Sequence, residues 1–103
     1  MGNTIGYWKG NRRYLTETLD GADWAIVSRS FNTIMEHNPS GTPGQWSGGR
    51  ARGSFTPGPA YRSMEGRDCR PFTAWVTIGG QEQPPEGGVA CRTPNGEWTV
   101  RYR

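Results

Sequence analysis

Few residues in this chain could do chemistry. Cys69, Cys91 and the single histidine, His37, are its only cysteine and histidine side chains. A metal site wants three or four convergent donors. His37 falls on a different element from the cysteines, so no metal is expected. Asp20 and Asp23 stand at the start of a helical pattern, where acids serve as caps rather than as a catalytic pair. His37 stands at its end, where a cation suits the dipole. Glu65 and Asp68 flank a turn with Arg67, a common solvated arrangement. Gly48-Gly49-Arg50 lacks the strand-to-helix context of a phosphate loop. With no nucleophile–base pair and no metal set, no enzyme and no cofactor are expected. Two kinds of chemistry remain. One is thiol pairing. The other is surface recognition by aromatic and arginine side chains, with Trp75, Tyr7, Trp8, Arg12, Arg13 and Arg70 as candidates.

The elements that position these residues can be read from periodicity. Trp24, Val27, Phe31, Ile34 and Met35 recur on one face of a helix. It starts behind Asp20 and stops at Asn38-Pro39, which predicts a helix over 21–37. Gln45-Trp46-Ser47 and Arg52 to Thr56 predict two short strands joined by Gly48-Gly49. Pro57-Gly58-Pro59 breaks the second. Ala60 to Ser63 is a further short extended segment, ended by Glu65-Gly66.

The long strand Arg70 to Ile78 alternates. Phe72, Ala74, Val76 and Ile78 take one face; Cys69, Pro71, Thr73, Trp75 and Thr77 take the other. Gly79-Gly80 predicts a two-residue hairpin with positive φ at both positions. That turn sets Ile78 opposite Gln81 and leaves Cys69 facing Ala90, one place short of Cys91. A one-residue bulge at Gln83-Pro84-Pro85-Glu86 corrects the register, because proline gives no ladder donor. Cys69 then faces Cys91. Either the two form a cross-strand disulfide, which places the chain in an oxidising compartment, or they are free thiols.

Thr93-Pro94-Asn95-Gly96-Glu97 predicts a type I turn with a bulge, pairing Arg92 with Trp98 and Ala90 with Val100. Trp98, Val100 and Tyr102 thereby join the face of Phe72, Ala74 and Val76, and the helix packs there. Cys69, Cys91 and Trp75 fall on the opposite face. Two arrangements follow for that face. The N-terminal arm, residues 1–19, either folds across it or leaves Trp75, Tyr7 and Trp8 as a partner surface rimmed by Arg12, Arg13 and Arg70. The expected architecture is α+β, over residues 20–103. One amphipathic helix packs on a curved antiparallel sheet of four to five strands carrying a cross-strand disulfide.

Composition agrees with a thin, turn-rich core. Only 32% of the 103 residues are hydrophobic, against sixteen glycines and eight prolines. The 12% aromatic content argues against disorder. The net charge is +3, with all basic residues but Lys9 being arginine. The arginines are dispersed, so a nucleic-acid partner is not expected. No apolar run reaches membrane-span length. The N-terminal residues lack the apolar core and cleavage site of a signal peptide, and no lipobox cysteine is present, so no membrane anchor is expected in this chain.

Several of these motifs together resemble a known family. Cys69-Arg70, Ile78-Gly79-Gly80, Gly88-Val89-Ala90-Cys91-Arg92 and Pro94-Asn95-Gly96-Glu97-Trp98 resemble the C-terminal domain of bacterial surface-antigen outer-membrane lipoproteins of the seventeen-kilodalton type. Pro39-Ser40-Gly41, Trp46, Gly53, Thr56-Pro57 and Tyr61 extend the likeness over residues 19–100. The resemblance implies an exported bacterial protein of the periplasm or outer membrane, with a non-catalytic domain. Family members carry a lipid-anchor signal, and many have a glycine-rich segment; this chain shows neither. The function expected is a structural or interaction domain of the cell envelope. It has a protein partner there, as an accessory subunit docked on a larger membrane assembly. The alternatives are a basic binder of anionic polymer, polysaccharide or nucleic acid, and an inhibitor of an envelope hydrolase.

Overall fold

A computed structural model describes residues 21–101 of the chain. The N-terminal arm with Tyr7, Trp8, Arg12 and Arg13, and Tyr102, lie outside the described residues.

The helix α1 spans Gly21–His37, as the apolar periodicity predicts. Seven strands follow: β1 (Gly44–Ser47), β2 (Ala51–Pro57), β3 (Tyr61–Arg62), β4 (Asp68–Ile78), β5 (Gln81–Glu82), β6 (Glu86–Arg92) and β7 (Trp98–Arg101). They form one antiparallel sheet with the order β1-β2-β4-β6-β7. The two short strands β3 and β5 both pair with β4 off this path. The expected four to five strands are thus the continuous path, and β3 and β5 bring the total to seven.

Proline explains the extra strands. β2 and β3 flank one edge of β4, divided at Pro57-Gly58-Pro59; β5 and β6 flank the other, divided at Pro84-Pro85. Proline cannot donate to the ladder, so each flanking strand is cut in two. At both cuts the register with β4 slips by one residue. Gly58 N–H donates to the Pro71 carbonyl at 2.7 Å at one cut, and Gln83 N–H to the Val76 carbonyl at 2.8 Å at the other. The second slip is the bulge that sets Cys69 opposite Cys91.

The turns take the predicted forms. Gly79 and Gly80 have φ of 58° and 82°, as a primed hairpin turn requires. In the β6–β7 loop Thr93 N–H donates to the Glu97 carbonyl, and Gly96 carries φ 89°. The β3–β4 loop repeats this construction: Ser63 N–H donates to the Arg67 carbonyl, and Gly66 has φ 82°.

Between α1 and one sheet face lies the core. Val27, Phe31, Ile34 and Met35 of α1 meet Phe55, Phe72, Ala74, Val76, Ile78, Ala90 and Trp98. Trp24 and Val100 pack at its margin. Phe31 sits edge-on to both Phe55 and Phe72, with ring centroids 5.0 and 5.1 Å away. Such pairs add to the burial of apolar area.

Candidate functional site

The side of the sheet away from α1 is built by the residues that alternate with the core. Cys69 and Cys91 are directly opposed and joined by a disulfide, with their Cα atoms 4.0 Å apart. Both are buried. About 20 Å further along β4, Trp75 is on the same side and is 49% exposed, between the buried Ala74 and Val76.

Cross-strand pairing collects polar side chains around Trp75. Gln45 pairs with Ser54, and Ser54 with Trp75, making one row. Ser47, Arg52, Thr77 and Glu82 make the next. Side chains in adjacent rows of one face are neighbours. Together with Gln83, Val76 and the nearly buried Trp46 they line an open groove of about 460 Å³, of which Trp75 is the exposed aromatic member. The inner side of Trp46 closes against Gly53, where an added Cβ would collide with the Trp75 carbonyl. Only glycine therefore lets β2 approach β4 so closely under the indole of Trp46.

Arg70 is not part of this rim. It shares the core face with Phe72, pairs with Ala90, and is 8% exposed. Its Nη1 donates to the carbonyls of Met35 and Asn38, at 2.9 and 2.8 Å, and its Nε to that of Gly58 at 2.9 Å. The group that meets the last carbonyls of α1 is thus Arg70, while His37 is exposed in the final turn. The sequence signal was its phase: Arg70 falls in step with Phe72 and Ala74, so it had to enter the core side beside the helix end. Tyr7, Trp8, Arg12 and Arg13, the remaining predicted partner contacts, are outside the described residues.

Asp23 also does more than sit in the first turn of α1. It is buried, and its two carboxylate oxygens accept from Gly49 N–H at 2.8 Å and Arg50 N–H at 3.1 Å. It therefore ties the helix start to the β1–β2 turn, which forms one end of the groove face. Asp23→Ala leaves those two amides without their acceptor. The expected loss is about 2 kcal/mol in urea unfolding. A cap role alone would give about 1 kcal/mol.

The other end of α1 is joined to β7. Trp98 N–H donates to Asn32 Oδ1 at 2.6 Å, and its indole Nε1 donates to Glu36 at 3.1 Å. Arg92 pairs with Glu36 at 2.8 Å and lies over the Trp98 ring, 5.0 Å from its centroid. The Trp98 hydrogen bond, with Arg92 beside it, holds the Glu36 carboxyl below the usual glutamate range, against an opposing effect of desolvation. A depressed native pKa gives stability that is present above the unfolded value and lost as pH falls through the native one. Acid titration of the unfolding midpoint is therefore expected to decline below about pH 4.3, and Glu36→Gln to flatten that decline.

Among the described residues, no three His, Cys, Asp or Glu side chains converge on a site for a metal ion. The distinctive arrangement is instead a rigid sheet face with a half-exposed tryptophan set in polar side chains.

A family model described as 17 kDa outer membrane surface antigen matches residues 33–99. The 17 kDa surface antigen of Rickettsia bellii is 34% identical over 84 residues, which are 80% of this chain and 52% of that protein. That of Rickettsia felis is 36% identical over the same shares. That of Rickettsia prowazekii is 35% identical over 83 residues, 79% of this chain and 52% of that protein. The chain spans about half the length of the curated relatives it matches. No solved structure matches it.

Proposed function

Because this chain belongs to the 17 kDa outer membrane surface antigen family, we propose that it is a non-enzymatic structural or interaction domain of the bacterial cell envelope, whose contact surface is the outer sheet face around Trp75. The relatives are named surface antigens, a name that carries a location and no reaction. The disulfide supports the same placement, since such bonds persist in oxidising compartments, the periplasm and cell surface among them.

The observation that carries the reading is Trp75. Its neighbours on β4, Ala74 and Val76, are buried, yet the indole is half exposed on an interior strand of the sheet. A large rigid aromatic held this way is a typical anchor for binding. In the finer form of the reading, the domain is an accessory subunit of a larger membrane assembly. Trp75 is its anchor in that assembly, with Tyr7, Trp8, Arg12 and Arg13 as further contacts of the same surface.

The test uses the full chain immobilised and offered detergent-solubilised cognate envelope. Wild-type protein is expected to retain a defined envelope component, and Trp75→Ala to lose it while keeping its disulfide and its unfolding midpoint. Equal retention by the two proteins, or retention of nothing by either, would overturn the assignment of this surface.

A further inference from the structure

Resting on that reading of the Trp75 face, we propose that the groove beside Trp75 is a saccharide site, seating an uncharged pyranose with equatorial substituents from an envelope glycan chain. The lining decides the class of ligand. Apart from the Trp75 indole, the side chains of the two rows are hydroxyls, an amide, one guanidinium and one carboxylate, and the lining adds Gln83 and the nearly buried Trp46 and Val76: Ser54, Thr77, Gln45, Arg52 and Glu82 carry the argument. The core of a protein interface is instead depleted of charge and built from several apolar or aromatic groups. The ligand that fits here needs one flat apolar face for the indole and hydrogen-bonding groups around its edge. A pyranose whose hydroxyls are equatorial has that shape. Its axial C–H bonds make the face, and its hydroxyls radiate in the ring plane toward the polar rim.

Charge and topology narrow the choice further. Arg52 and Glu82 lie in one cross-strand row, so what an anionic polymer gains at one it loses at the other. The groove lies over β2 and β4, interior strands of the sheet, and at Trp75 and Val76, where β4 lacks a strand partner on one edge, Gln83 N–H already occupies the Val76 carbonyl, so an extended peptide has no free edge to add to. A volume of about 460 Å³ suits a short oligosaccharide. The rows are fixed by sheet hydrogen bonds, so little ordering is required on binding.

Two neutral probes test this on the full chain: the β-linked N-acetylglucosamine tetramer and cellotetraose, followed by amide and indole NMR shifts. Heparin serves as a polyanion control. At least one sugar is expected to bind saturably, to shift the Trp75 indole and the Ser54 and Thr77 amides, and to bind equally well at high salt. Trp75→Ala should weaken it about tenfold or more, by analogy with stacking on aromatic platforms. Trp75→Phe should recover part of the loss, and Arg29→Ala, exposed on α1, should change nothing. Binding undiminished in Trp75→Ala, or salt-sensitive binding of heparin in place of either sugar, would overturn the saccharide assignment. So would the absence of sugar binding while envelope retention still depends on Trp75; in that outcome the contact surface stands and only its ligand class fails.

Discussion

Replacing both cysteines, Cys69→Ala with Cys91→Ala, is expected to lower the stability of the domain by about 3 kcal/mol. The bond closes a sequence separation of 22 residues, and the chain entropy that such a loop removes from the unfolded state has that size. The loss is a large share of the total because the domain has little to spare. Hydrophobic residues are 32% of the chain, and small domains have total stabilities of only about 5–15 kcal/mol. The bond also guards register. β5 and β6 are separated by Pro84-Pro85, and the slip between them must be one residue for Cys69 to meet Cys91. Urea unfolding of the double variant is the measurement, with a lower midpoint and a slope steeper than the wild type's, because the unbridged unfolded chain exposes more surface. A midpoint equal to that of the wild type would show that the hairpin holds its register without the staple.

Arg70→Met is expected to cost about as much, roughly 3 kcal/mol, and Arg70→Lys to recover little of it. Methionine keeps the stem that packs beside α1 but removes the guanidinium. Three carbonyls, of Met35, Asn38 and Gly58, then lose their donor on the buried side of the sheet. They come from the helix end and from the proline break between β2 and β3, so one side chain fixes both to β4. A hydrogen bond from a charged donor contributes about 1.5–3 kcal/mol, and the C-terminal helix dipole adds a favourable field. Lysine cannot span the same fork, because its ammonium is a point donor. Equilibrium unfolding measures the loss. Hydrogen exchange at the last turn of α1 should quicken in Arg70→Met. Full recovery by Arg70→Lys would mean that charge alone, without the fork, holds the helix end.

Much of this scaffold was legible in the residues because the signals that specify it are local. Gly79-Gly80 and Pro94-Asn95-Gly96 state their turns through the φ they require. The alternation of Phe72, Ala74, Val76 and Ile78 states which face is core. Two turns and one bulge then set the register of three strands, and the disulfide follows as a consequence. The parts that stayed hidden are long-range and polar. Nothing within twenty residues of Asp23 announces that it will receive the amides of Gly49 and Arg50. Asn32 and Trp98 are joined in the same way across the whole domain. Residue type alone puts Arg70 among the surface arginines, because arginine is most often exposed, whereas its phase with Phe72 points inward. The groove was hidden for a different reason. Trp75 was visible as an outward aromatic, but Gln45, Ser54, Arg52 and Glu82 are ordinary polar strand residues until the pairing of β1, β2, β4 and β5 aligns them.

The most direct test of the Trp75 face as the working surface is a carbene-generating photo-crosslinker placed at single sites of the full chain in intact cells. It inserts into protein and glycan alike. Placed at Ser54 or Thr77, beside Trp75, it is expected to yield a discrete adduct that disappears with Trp75→Ala; placed at Arg29 on the exposed side of α1, it is expected to yield none. Adducts from Arg29 and none from the sheet positions would contradict the account and put the contact surface on the helix side of the domain.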